Sequence, residues 1–347
     1  MTVLASTGVL SYGKQSAKGS TATTWYRHRA TDIDFGPVQT MAAIPLEIGG
    51  TVVPTGSYKQ GAFVAGGATL HPRMEGDFGW IMEGLMGSVA TAAGPVGSTY
   101  DHTFKFNSAN PHDVPWMSVR KFIPGSDSLG EIGTDCKVAS ATMTFPQNGI
   151  MQARVDWIGR TPSWDDTPSF SYADAFEDYT SIPVTSVTAS SIKLPEFSAS
   201  ELPVTALTVT MTNNLTTPQQ EMVIGTQHPD DFMVVSRAAT IRATVKWADP
   251  DLYQTIYTGS TSGVAWDDAC YYSDFEAIVL SPYNITGATP YQMDINASNV
   301  AWQLDGPVRL AGGDLLMLNL MGTVVEADSG DEYLEFMIRN GQEDYDG

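Results

Sequence analysis

The sequence predicts an all-β protein with short helices, built as two similar β-barrel or β-sandwich modules packed side by side. Three observations predict it. Thr, Ser, Val, Gly and Pro abound while charged residues make up only 16% of the 347 residues, a mix that favours strands and tight turns over surface helices. Short runs alternate apolar and polar residues, the two-residue period of a half-buried strand, most strictly in Val204–Met211 (VTALTVTM). The second half also reruns the plan of the first. Ala62–Leu70 runs into a short amphipathic stretch, Asp77–Gly87, and Ala238–Trp247 runs into Asp249–Gly259. Each unit closes on an apolar strand ending in glycine, Val155–Gly159 (VDWIG) and Leu318–Gly322 (LNLMG).

Taken in order, residues 1–36 read as a polar N-terminal arm with a cluster of aromatics and cations, Trp25-Tyr26-Arg27-His28-Arg29, of the kind that suits a protein–protein contact. The first module is expected over 37–160. Val38–Ile48 alternates towards Gly49-Gly50, and Pro54 and Gly56 punctuate a hairpin or protruding loop over 44–61. Strands are predicted at Tyr100–Phe106, Trp116–Phe122, Cys136–Phe145 and Ile150–Ile158, the last two joined by the turn Pro146-Gln147-Asn148-Gly149. Four prolines, with Pro203 just beyond, and a local acidic run make 161–202 a connector. The second module is expected over 203–326, with its first strand ended by Asn213-Asn214. Further strands are predicted at Met222–Gly225, Phe232–Trp247, Tyr272–Leu280, Tyr291–Gln303 and Leu315–Val325. Asp249 should cap a helix with Pro250 at its first position. Residues 327–347 read as an acidic tail with one strand near Tyr333–Ile338.

The formal net charge is −21, and its placement is uneven. Residues 1–160 carry 12 basic and 12 acidic groups, whereas 161–347 carry 6 and 27. Such a field opposes a nucleic-acid grip, which works by neutralising phosphates with Lys and Arg, and it disfavours anionic membranes. Met1–Ser11 lacks the basic and apolar regions of a secretory signal, and no run of about 18 apolar residues occurs. Cys136 and Cys270 lie far apart and read as buried free thiols of a reducing compartment. A soluble intracellular product is expected.

Catalytic equipment is sparse. The five histidines share no zinc-like spacing, and no nucleophile elbow, phosphate loop or dinucleotide fingerprint occurs. The acid pairs Asp165-Asp166, Asp230-Asp231 and Asp267-Asp268, and Glu131 with Asp135, sit in turn-like surroundings and read as solvated turn acids, not as a glycosidase pair. No metal and no cofactor is expected, and the chain is read as a building block, not an enzyme.

The order of these pieces resembles the major tail tube protein of long-tailed, non-contractile bacteriophages. Gly13–Thr24 (GKQSAKGSTATT) looks like the opening of that family. Ala206–Gly225, Arg237–Tyr253 and Val300–Gly322 are similar to its later segments. The resemblance implies a virion tail component, assembled in the host cytoplasm, that self-associates into stacked rings around a lumen. The tape-measure protein occupies that lumen and DNA later passes through it without specific binding; tail terminator and tail-tip proteins are further partners. The family's common form is one tube domain per subunit in a six-membered ring. A chain of twice that size suggests three copies making six modules, or else six copies with the second half as a decoration outside. Trp25, Tyr26, Arg27, Tyr58, Lys59, Tyr333 and Phe336 are the expected contacts between rings, and Asp156, Asp294 and Asp314 the expected lumen acids. Another virion or injection-tube component, and a carbohydrate-binding protein or glycosidase, are the alternative readings.

Overall fold

The computed structural model describes residues 7–74, 78–106, 114–125, 128–166, 168–172, 189–193, 203–247, 250–308, 310, 315–326 and 334–345. In the first half they form β1 (Val9–Lys14), β2 (Tyr26–His28), β3 (Ala30–Ile33), β4 (Gly36–Ala43), β5 (Ser57–Leu70), α1 (Phe78–Met86), β6 (Val89–Ala93), β7 (Tyr100–Phe106), β8 (Met117–Ile123), β9 (Leu129–Phe145) and β10 (Gln152–Asp165). The second half adds β11 (Ala189–Lys193), β12 (Val204–Leu215), β13 (Val234–Lys246), α2 (Asp251–Thr258), β14 (Tyr271–Thr286), β15 (Thr289–Leu304), β16 (Met317–Val324) and β17 (Leu334–Asn340).

The repeat seen in the sequence is a repeat of pairing. In the first half β4 pairs β5, β5 pairs β10, β10 pairs β9, β9 pairs β8 and β8 pairs β1. In the second half β12 pairs β13, β13 pairs β16, β16 pairs β15, β15 pairs β14 and β14 pairs β11. Every pairing is antiparallel, and in both halves the helix follows the same strand of the set. Each helix stops on a glycine in the left-handed region, Gly87 at φ 85° and Gly259 at φ 72°, which is open to glycine at no steric cost. The second helix begins one residue later than the capping pattern predicts. Pro250 itself takes the N-cap place without a side-chain cap, and Asp249 lies outside the described residues.

The two halves are stitched together in two layers. In one, β9 pairs β12, giving a band in the order β4-β5-β10-β9-β12-β13-β16. In the other, β17 inserts between β7 and β15, giving β6-β7-β17-β15-β14-β11. One hydrophobic core runs between the layers through both halves, from Leu10 and Trp157 to Met293 and Ile338. α1 lies inside it with every residue buried, and its Glu83 is held by Lys14 at 2.7 Å. The second half also completes the end of this helix. Asn213 of β12 donates to the Leu85 carbonyl at 2.8 Å and to that of Val138, and Arg237 of β13 donates to the Met86 carbonyl. The Leu85 and Met86 carbonyls end the helix and have no partner inside it.

Several boundaries differ from the sequence reading, for identifiable reasons. The stretch read as an arm contributes β1–β3, because Val9–Lys14 finds β8 as a partner and its apolar side chains are buried. Asn213 does not end its strand, since its side chain serves α1 and the strand continues to Leu215. Met222–Gly225 is a turn closed by a Met222–Pro229 bridge, not a strand. Leu334–Asn340 is an interior strand with Leu334, Phe336 and Ile338 buried. Of the two cysteines only Cys136 is buried; Cys270 is exposed. Among the described residues no helix is long and apolar enough to cross a membrane.

Candidate functional site

In the band β4-β5-β10-β9-β12-β13-β16 successive side chains point to opposite faces, and the two faces have opposite chemistry. One is core: Ala141, Met143, Val155, Trp157, Val209, Met211, Ile241, Val245 and Leu320 are all buried. The other is rich in hydroxyls. Cross-strand register places Thr69, Arg154, Thr142, Thr210, Thr240 and Thr323 in one row over six strands and both halves. Adjacent rows hold Gly67, Asp156, Ser140 and Thr212, and Gln152, Thr144, Thr208 and Arg242. Threonine suits the place twice over. It is β-branched, and opposed threonines can exchange hydroxyl bonds, as Thr142 and Thr210 do at 3.4 Å.

The two arginines in these rows are held by acids. Arg154 reaches Asp34 at 2.7 Å, Asp156 at 2.8 Å and Asp32 at 3.8 Å, so one guanidinium faces three carboxylates. Bonds from Arg154 and the Gly67 amide lower the Asp34 pKa against the opposing cost of its partial burial, while the same carboxylates raise that of Arg154. Arg242 is bound to Asp305 at 2.6 Å. Gly66, at φ 113°, lets the Asp34 backbone lie against β5, where a Cβ would fall 2.6 Å from the Asp34 carbonyl oxygen. These rows therefore present neutral hydroxyls and arginines already paired with carboxylates.

A family model described as "Phage tail tube protein" matches residues 5–328. The chain belongs to that family. Comparison with curated proteins finds no match. As a phage tail tube protein it is a structural component of the virion tail, and its β-rich architecture with two short helices agrees with the sequence expectation.

Of the acids expected to line a tube, Asp156 stands on the hydroxyl-rich face. Asp314 lies outside the described residues. Asp294, 8% exposed, is buried on β15 of the other layer. Both its oxygens accept from the Gln292 side chain, at 3.0 and 2.8 Å. Burial pushes its pKa up to about 6, against those bonds and the positive field of Arg339, with Glu276 and Asp101 adding repulsion. A carboxyl whose folded pKa is raised costs stability once ionised. The cost is absent below about pH 4, grows through pH 4–6, and at its fullest is about 3 kcal/mol. Asp294→Asn should therefore raise the melting temperature at pH 8, and the gain should fade to nothing near pH 4 in thermal melts.

The residues expected at ring contacts divide in two. Trp25 is buried beneath the Arg120 guanidinium, 3.9 Å from its ring centre, and Phe170 flanks the same cation at 4.0 Å. Tyr26 stacks on Trp80 of α1, and Arg27 lies over Tyr172. These three residues dock the N-terminal strands and residues 170–172 within the chain. Phe336 is fully buried, packed against Phe78 and Phe104. Both it and Trp25 are thus buried within the chain itself. Tyr333 lies outside the described residues. Tyr58 and Lys59 are exposed and line a groove of about 390 Å³ with Thr40, Pro218 and Met222.

Sequence reasoning missed the threonine rows. The signal was there, in TVTMT at 208–212, ATMT at 141–144 and ATIRATV at 239–245, but alternation within a strand does not say which strands are neighbours. The acid pairs weighed for glycoside hydrolysis serve the fold separately. Glu131 pairs with Lys121 at 2.6 Å, whereas Asp135 receives the Gly19 amide at 2.6 Å and lies 3.3 Å from Arg160.

Proposed function

We propose that three copies of this tail tube protein close into a ring of six similar modules, that rings stack into a tube, and that the hydroxyl-rich face lines its channel. The observation that carries this reading is the repeated set of five strand pairings, joined across β9 and β12 into one band with one polar face. Three such bands supply roughly 21–24 strands. At 4.7–4.9 Å between strands and a tilt of 35–45°, that makes a barrel about 40–50 Å across between backbones. Such a conduit holds the tape-measure protein during assembly and passes DNA afterwards, with Asp156 among the acids facing it. The tail terminator and tail-tip proteins meet its two ends.

Ring stacking falls to the loops that leave the band. Ile44–Gly56 between β4 and β5 carries Leu46, Ile48, Val52 and Val53, all exposed, with Ile48 at 109%, and Tyr58 and Lys59 lie at its base. Its counterpart between β12 and β13 presents Ile224 at 103%. Apolar tips of this kind suit burial against another protein surface. The version with six copies and an external second half fits less well, because β12 and β13 continue the same sheet as β9 with the same polar face. Electron microscopy of tubes grown from the purified protein tests the proposal. Threefold rings with six similar lobes are expected; sixfold rings of six chains, or a protein that stays monomeric when concentrated, would overturn it.

A further inference from the structure

We infer that Met41, Met222 and Met233 form a sulfur-lined seat for the next ring, and that oxidation of these thioethers by peroxide in the free subunit blocks stacking. The inference rests on the ring reading and adds a modification site to it. Methionine is mostly an interior residue in this chain: Met82, Met117, Met143, Met151, Met211 and Met293 are all buried. Among the described methionines only Met41, 60% exposed, and Met233, 49% exposed, stand open. Both lie at one end of the band. Met41 is near the end of β4, opposite Lys59, and Met233 immediately precedes β13, whose Val234 lies opposite Leu215. They therefore mark the bases of both loops to which stacking is assigned.

Met222 completes the set. It lines the groove of Tyr58, Lys59 and Pro218, and its terminal methyl occupies the space that a Cβ on Gly61 would need. The turn that carries it is fastened to β5. The Ala62 amide donates to the Gln227 carbonyl at 2.9 Å, and His228 Nδ1 lies 2.7 Å from the Ala62 carbonyl oxygen. The Thr216 amide donates to the Met233 carbonyl at 2.9 Å and the Met233 amide to the Thr216 hydroxyl at 3.0 Å, so the Met233 backbone is fixed while its side chain is open. Val223, Ile224 and Val235 are exposed on the same segments. Rings stacked head-to-tail set this end of the band against its opposite end in a second copy, where Ile150 and Leu315 are exposed beside the starts of β10 and β16. Thioethers suit such a joint, being flexible and polarisable and able to fill irregular gaps.

The chemistry that undoes the joint is a two-electron oxidation. A lone pair on Sδ takes one oxygen from hydrogen peroxide; the S–O bond forms as the O–O bond breaks, and the departing hydroxide takes the proton of the transferred oxygen and leaves as water. The sulfoxide is polar, so it disrupts an apolar contact, and methionine sulfoxide reductases reverse it. Free subunits and preformed tubes are given the same brief dose of peroxide, and peptide mass mapping reads the uptake of oxygen. In free subunits Met41 and Met233 should react first, with Met143 and Met211 untouched. In tubes Met41, Met222 and Met233 should react at least several-fold more slowly. Met321, half-buried and opposite Arg242 on the hydroxyl-rich face, should react alike in both, because peroxide enters the channel. Electron microscopy should find that oxidised subunits no longer form tubes and that the two reductases together restore them. Subunits with Met41→Leu, Met222→Leu and Met233→Leu, a swap that keeps volume, should form tubes despite peroxide. Should that variant fold poorly, the reductase rescue reads the same point on the unaltered chain. Oxidised subunits that build tubes as readily as untreated ones, or Met41 and Met233 reacting as fast in tubes as in free subunits, would overturn the seat while leaving the tube standing. Failure of the untreated protein to form tubes would instead remove the reading beneath it.

Discussion

A chain ending at Glu326 should not fold. Removing β17 strips the partner from one edge of β7 and one edge of β15, the strands it joins among the described residues. It also removes Leu334, Phe336, Ile338 and Tyr345, each fully buried. At about 1.5–3 kcal/mol for each such side chain, before any cavity cost, the loss approaches 10 kcal/mol, comparable to the whole stability of an ordinary domain. Tyr345 alone touches three rings, those of Trp80, His102 and Phe104, and Gly79 is glycine because a Cβ there would meet the Tyr345 ring. Polar groups go with it: Arg339 holds Asp101 through two nitrogens, and Asn340 donates to Met74 and to the Tyr345 hydroxyl. Circular dichroism and limited proteolysis should find the truncated chain unstructured. The milder Phe336→Ala should lower stability by about 3–5 kcal/mol in denaturant melts. A truncated chain that still melts cooperatively near the temperature of the full protein would mean that β17 does not stitch the halves together.

That same strand marks where sequence reasoning stops. The alternation in Leu334–Asn340 was legible and so was the strand, but Asp328–Glu332 before it is acidic, and the whole end of the chain then reads as a solvated tail. Only the partners β7 and β15, more than 30 residues away on one side and more than 200 on the other, reveal it as interior. The first strands were hidden for the same reason: β1 is interrupted by Gly13, which the sequence offers as a flexible point. In fact a side chain there would collide with the Thr24 carbonyl. Local signals succeeded at several places where the determinant was local, although Met222–Gly225 reads as a strand and folds as a turn. The glycine-ended helices, the turn at Pro146–Gly149 and the two-fold plan were all readable. Which strands lie side by side depends on long-range pairing, so neither the continuous band nor its threonine rows could be assembled from pattern alone.

Placing two lysines on that face tests whether it lines the proposed channel, since there they should trap a passing polyanion. Thr144, on the central strand β9, and Thr323, on the edge strand β16, are exposed, and Thr144→Lys with Thr323→Lys adds two cations per chain. In the unaltered protein Arg154 and Arg242 are each bound to aspartate, so a phosphate finds little positive charge to bind. A ring of three variant chains would present about six free cations, and stacked rings repeat them along the axis. With roughly six to ten phosphates neutralised at once, affinity should fall by a factor of about 10³–10⁵ between 50 and 200 mM salt. Variant tubes should therefore retain fluorescent duplex DNA at the lower salt and release it at the higher, while unaltered tubes retain none at either. Ala90→Lys with Ala92→Lys makes the same charge change on β6, in the other layer, where both residues are exposed. DNA held there would lie outside the tube and be open to nuclease, whereas DNA held by the channel lysines should be protected. Equal retention and equal digestion for the two variants would show that the threonine face does not line the conduit.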